Sequence, residues 1–167
     1  MVYSRPMLRQ WLDAVRRNHA LEHATVAVML SRLDGSARLA GRALPSGFIL
    51  YGSIPTEVVQ RSAEEGLARL QAGERQLAVS PLCGTNIAVA AILTGIFSVL
   101  TMGDRRRLER LPSVFLASAF AMLLAQPLGR MTQKYITTRP DLDGVTLQGV
   151  EPSFGGRVHK VRTSPLS

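Results

Sequence analysis

Residues 86–102, NIAVAAILTGIFSVLTM, and residues 111–129, LPSVFLASAFAMLLAQPLG, decide how this chain is read. No charged side chain interrupts 76–103 or 111–129. A helix needs about 20 largely apolar residues to cross the hydrocarbon core of a bilayer. Helices suit that medium because each satisfies its own backbone polar groups. The alternative is a buried helical hairpin in a soluble protein. Two helices that are apolar all round need a large shell to hide them. A chain of 167 residues does not supply that shell unless it oligomerises. The reading is therefore a two-helix membrane anchor over 82–129, with 104–110 as a tight connection. Its partner is the lipid bilayer, and a homo-oligomer is the remaining assembly option.

Working outward, the anchor is flanked by arginine on every side. Arg105, Arg106, Arg107 and Arg110 sit in the connection; Arg69, Arg75, Arg130, Lys134 and Arg139 sit outside it. The positive-inside rule pulls both sets towards the cytoplasm. An N-terminal lobe of about 80 residues without a secretory signal is hard to export, so both termini are expected in the cytoplasm. A shallow hairpin that never fully crosses would remove the conflict. The expected location is the bacterial cytoplasmic membrane, as a multi-pass protein.

The formal charge is +8, from 20 Lys and Arg against 12 Asp and Glu. The arginines are scattered, with few aromatic residues beside them to stack on bases, so no nucleic acid is expected as a partner. Cys83 is the single cysteine, which excludes an intramolecular disulfide. The spans hold no ionisable residue to mark an ion or proton path, which weighs against a transporter or channel.

The rest reads as α+β. Residues 6–33 form one long helix, with Leu8, Trp11, Leu12, Val15, His19, Glu22, Val26, Leu30 and Leu33 on one stripe, ended by Asp34-Gly35. Residues 38–44 and 47–52 make a small β-hairpin. Residues 55–71 form a second helix, capped near Ser53 and closed by Gly73. After the anchor, whose exit is marked by Pro127 and Gly129, residues 144–150 and 156–163 form a C-terminal β-hairpin. Residues 133–138, QKYITT, suggest no chemistry of their own. The expected organisation is an N-terminal α+β lobe over 1–81, the anchor over 82–129, and a tail with its hairpin over 130–167.

Residues 19–23 read His-Ala-Leu-Glu-His, the H-x-x-E-H pattern of inverzincin metalloproteases. Two histidines four apart project from one helix face, close enough to bind one zinc ion. A glutamate beside them can orient or deprotonate a metal-bound water. His19 and Glu22 lie on the apolar stripe, where a polar group is costly unless bonded or ligated. The plain alternative is a His–Glu pair that satisfies itself in a core. A zinc site needs a third protein ligand. Cys83 is the first candidate, although a lone cysteine is more often a small buried hydrophobe. His159 follows, then Glu64, Glu65 and Glu74, each ordinarily a surface group. Beside Cys83, Pro81 breaks any preceding helix, Gly84 permits a turn, and Thr85 or Asn86 can cap the helix that follows. Thr85 and Asn86 also offer hydrogen bonds to a substrate or a metal-bound water.

Together HALEHATV (19–26), SGFILYG (46–52), ARLQAGERQLAVSPLCGTN (68–86), QPLGRMTQKYITT (126–138) and RVHKVR (157–162) resemble an uncharacterised bacterial membrane family, domain of unknown function 6391. The likeness runs from His19 to Val161. A looser similarity reaches a second membrane family, labelled as metal-dependent enzymes, that pairs H-G-A-E-H with a later C-G-T. The matching positions are His19, Glu22 and His23, then Cys83, Gly84 and Thr85. Ala20 and Leu21 replace the small residues of that family's motif. The resemblance implies that the histidine and cysteine motifs form one site; it supplies no reaction. The expectation is a membrane-anchored zinc site of His19, His23 and Cys83, with Glu22 as general base of a hydrolase. The rival is a non-catalytic membrane scaffold that uses the same cluster structurally.

Overall fold

A computed structural model describes residues 5–33, 38–102 and 111–164. The chain forms two compact units, Met1–Ser80 with Thr137–Ser167, and Pro81–Ile136.

The first unit is α+β. Helix α1 (Arg5–Arg32) is followed by strands β1 (Ala40–Leu44) and β2 (Gly47–Tyr51), then helix α2 (Thr56–Gln71) and a 3₁₀ turn (Arg75–Ala78). Strands β3 (Leu147–Ser153) and β4 (Val158–Thr163) complete the unit. The two expected hairpins share one antiparallel sheet of order β1-β2-β4-β3, because β4 pairs with β2, Phe48 facing Val161 and Leu50 facing His159. The core is built from Leu21 and Met29 of α1, Phe48 and Leu50 of β2, Val59, Ala63 and Leu70 of α2, and Leu142, Val145 and Val161. Burial of these side chains is the main favourable term of the unit.

Asn18 ties the layers together. Its amide Nδ2 donates to the carbonyls of Leu44 and Pro45 (2.8 and 3.0 Å), and its Oδ1 accepts from Thr163 Oγ1 (2.9 Å). A buried amide with all these groups bonded holds α1 in register with two strands.

Several expectations are corrected. The stripe through Leu8, Trp11 and Leu12 does not face the core: these residues are 50%, 51% and 45% exposed. The buried face of α1 begins at Asn18 and runs through Ala20, Leu21, Ala24, Thr25, Val28 and Met29, whereas residues 7–12 are all exposed. Helix α2 is not capped by Ser53. It starts after Pro55, with no side-chain cap, and the fixed φ of proline does that work. Asp34-Gly35 and the connection with Arg105, Arg106, Arg107 and Arg110 lie outside the described residues.

The second unit is a hairpin of helices α3 (Gly84–Met102) and α4 (Leu111–Thr132), the latter running into a π-turn (Gln133–Thr137). Pro127 does not end α4 and lies inside it. Spanning helices carry proline where neighbouring groups or a local change of helical pitch satisfy the backbone carbonyl it frees. Contacts of Asn86 with Gln133, Ser98 with Ser118 and Phe97 with Phe120 make the helices antiparallel. Both helices are long and apolar enough to cross a membrane. At 1.5 Å per residue α3 spans about 28 Å, the thickness of the hydrocarbon core. Their outward faces are bare hydrocarbon: Val99 is 76% and Leu116 74% exposed.

Candidate metal centre

Alpha-helical geometry puts residues four apart on one face, and α1 presents His19 and His23 as an edge-to-face pair with ring centroids 4.4 Å apart. Each ring is held by a backbone carbonyl. His19 Nδ1 lies 3.0 Å from the Thr137 carbonyl oxygen and His23 Nδ1 2.7 Å from that of Ala78. A carbonyl only accepts, so both Nδ1 atoms carry the proton and both lone pairs sit on Nε2. The two acceptors share an origin. Thr137 ends the π-turn and Ala78 ends the 3₁₀ turn, where the last carbonyls of a helical segment lack an internal partner. This is the outer arrangement that orients imidazole ligands in metal sites.

Cys83 is buried, immediately before α3. The Thr85 backbone N–H donates to its Sγ at 3.4 Å, and Sγ lies 3.3 Å from Thr85 Oγ1. The sulfur thus takes the place of a capping oxygen, so neither Thr85 nor Asn86 is the cap. Asn86 instead donates from its backbone N to the Cys83 carbonyl (3.0 Å) and from Nδ2 to the Pro81 carbonyl (2.9 Å).

His19, His23 and Cys83 each offer one ligand atom, and these atoms lie within 4.8 Å of one another, close enough to hold a metal ion. Two imidazole nitrogens and a thiol sulfur are donor types that bind transition-metal ions.

Glu22 is also buried, 7% exposed. Its carboxylate lies against the backbone of β1 at Gly41, where a Cβ would overlap Oε1 of Glu22. Glycine at 41 is what makes room for the acid.

The other ligand candidates are engaged elsewhere. His159 is buried in the sheet, with Nε2 3.3 Å from Thr56 Oγ1, and burial lowers its pKa below the ordinary histidine value. Glu64 accepts from Gln60 at 3.0 Å, and Glu65 pairs with Arg32. Glu74 is bonded by Arg69 through Nη2 at 2.6 Å, which holds its carboxyl below the usual range. The QKYITT segment is not inert: Gln133 is fully buried and Thr137 supplies the carbonyl for His19. Nothing in residue spacing points to Gln133, because its partner Asn86 lies 47 residues away.

A family model described as Domain of unknown function (DUF6391) matches residues 14–150, which include both histidines, Cys83 and the two apolar helices. A relative described as an uncharacterized protein, from Picosynechococcus sp. strain PCC 7002, is 34% identical over 143 residues, covering 80% of this chain and 69% of its own. No solved structure matches.

Proposed function

The chain belongs to this family of unknown function, and we propose that it is a membrane-anchored zinc protein whose reaction class is hydrolysis of a membrane-proximal peptide or lipid. The observation that carries the reading is the approach of the His19, His23 and Cys83 ligand atoms to within 4.8 Å. The Nδ1–carbonyl bonds support it, since an outer partner on one ring nitrogen orients an imidazole to ligate through the other. Zinc would supply Lewis acidity and a nucleophile at neutral pH. Glu22 would accept a proton at its carboxylate during attack and return it to the leaving group. The exposed apolar faces of α3 and α4 support anchoring, because a monomer in water seldom leaves such a surface open. The bilayer of the cytoplasmic membrane is the partner this reading requires.

The test is elemental analysis of detergent-purified protein, with and without added zinc. About one zinc per chain is expected in the wild type and little in a His19→Ala/His23→Ala variant. Metal-free wild-type protein after zinc loading and desalting would remove the proposal.

One observation favours a second reading. The Glu22 carboxylate is buried against the Gly41 backbone, a setting that also suits an acid locking α1 onto β1 in a non-catalytic scaffold. Glu22→Gln separates the two. A catalytic base is lost with zinc content and melting temperature retained; a structural acid shows itself as lower stability.

A further inference from the structure

We infer that Asn86, Gln133 and Gly129 form a clamp that positions the Cys83 thiol as a metal ligand. The inference rests on the zinc reading and concerns residues outside the proposed ligand set.

Two amides are buried where the apolar helices α3 and α4 meet, Asn86 at 6% exposure and Gln133 at 0%. Such groups are costly between apolar helices unless bonded. Gln133 Nε2 donates to Asn86 Oδ1 at 2.9 Å. Asn86 then reaches both ends of the turn that carries the cysteine, through Nδ2 to the Pro81 carbonyl (2.9 Å) and through its backbone N to the Cys83 carbonyl (3.0 Å). With the Pro81 carbonyl held by the Asn86 side chain and the Cys83 carbonyl by its backbone N–H, one residue ties both ends of the turn that carries the thiol, and the Asn86 amide direction sets the Pro81 end. Gln133 fixes that direction from the other helix.

Gln133 opens the π-turn, a widened helical turn that recurs at functional sites. Gly129 lies four residues before it. A Cβ at Gly129 would overlap Asn86 Oδ1 and come 3.1 Å from Asn86 Cα, so rotating the amide alone would not relieve it. The glycine is therefore part of the same device. Apolar side chains would hold two helices together as well; two amides and a glycine aimed at one turn specify where that turn sits. Asn86 and Gln133 are positioning residues, acting through Cys83.

The experiment titrates Co²⁺ alone into the full chain in detergent micelles and follows the thiolate-to-cobalt charge-transfer band beside the d–d bands. Gln133→Met keeps volume and removes the donor; Asn86→Asp keeps the acceptor and removes the donor to Pro81. Both are expected to lower Co²⁺ affinity by roughly 10–100-fold, the usual effect of losing an outer partner. They should also weaken the charge-transfer band relative to the d–d bands, which a loss of stability alone would not do. Gly129→Ala carries the same expectation should Gln133→Met fail to fold. Affinity within twofold of wild type and an unchanged band in the folded variants would overturn the clamp. A wild type with no cobalt spectrum would remove the zinc reading instead. The clamp would then be judged by maleimide alkylation of Cys83, where a several-fold faster reaction in the variants supports it and an unchanged rate overturns it.

Discussion

His23 donates from Nδ1 to the carbonyl oxygen of Ala78, 55 residues further along the chain, across 2.7 Å. Cys83 follows Ala78 by five residues. The bond therefore does two things at once. It selects the tautomer that leaves the His23 lone pair on Nε2, and it anchors the backbone just upstream of the cysteine. An extended chain of five residues reaches at most about 17 Å, so chain connectivity limits how far the thiol can stray.

Removal of a ligand should weaken metal binding more than removal of an outer partner. His19→Ala, His23→Ala and Cys83→Ser are each expected to lower Zn²⁺ affinity beyond the roughly 10–100-fold typical of outer partners. Competition against a chelator of known affinity measures this. Equal affinity for wild type and Cys83→Ser would exclude the sulfur as a ligand.

Gly41→Ala adds one methyl where the Glu22 carboxylate lies. Overpacking of this kind costs about 1–3 kcal/mol. The expected outcome is a lower denaturation midpoint in Gly41→Ala that is largely recovered in Gly41→Ala/Glu22→Ala, where the overlap is gone. A double variant no better than the single one would show that Glu22 does not occupy the space at Gly41.

Burial holds the pKa of His159 below its ordinary value, so the unfolded chain takes up its proton first as pH falls. The stability tied to neutral His159 is then complete above about pH 6.5, the unfolded value, and declines as pH drops through the folded one. His159→Phe should flatten this part of the stability–pH curve below about pH 6.5. Parallel curves for wild type and variant across that range would contradict the assignment.

Ile92 is near the middle of α3 and 61% exposed. If α3 spans a bilayer, Ile92→Arg places a charge at the helix centre, at about 2.5–3.5 kcal/mol on insertion scales. Extraction of membranes with alkaline carbonate should then release more of the variant than of the wild type. Equal retention would argue against a span. Trp11, the single tryptophan and 51% exposed, gives an independent reading. Its emission is expected to shift to the blue when lipid replaces detergent, if the bare face of α1 meets the membrane surface.

Much of the secondary structure was legible because it follows from local pattern. The uninterrupted apolar runs marked α3 and α4, and His19 and His23 were visible as a pair because four residues complete nearly one helical turn. What periodicity did not show was which face of α1 meets the sheet. Trp11 and Leu12 fit the stripe yet remain exposed, since a stripe says nothing of how far the covering layer extends. The end of α4 was misplaced for a similar reason: Pro127 breaks helices in general but is carried inside this one.

The sequence by itself determined the two apolar helices, the histidine pair and the lone cysteine, because hydrophobic length and helical spacing are properties of neighbouring residues. Only the tertiary structure decided that β4 lies between β2 and β3, that Ala78 and Thr137 lend their carbonyls to the two histidines, and that Gln133 and Gly129 both meet Asn86. Those relations join residues tens of positions apart. They arise because buried donors and acceptors must find partners wherever packing brings them, and no local pattern records that requirement.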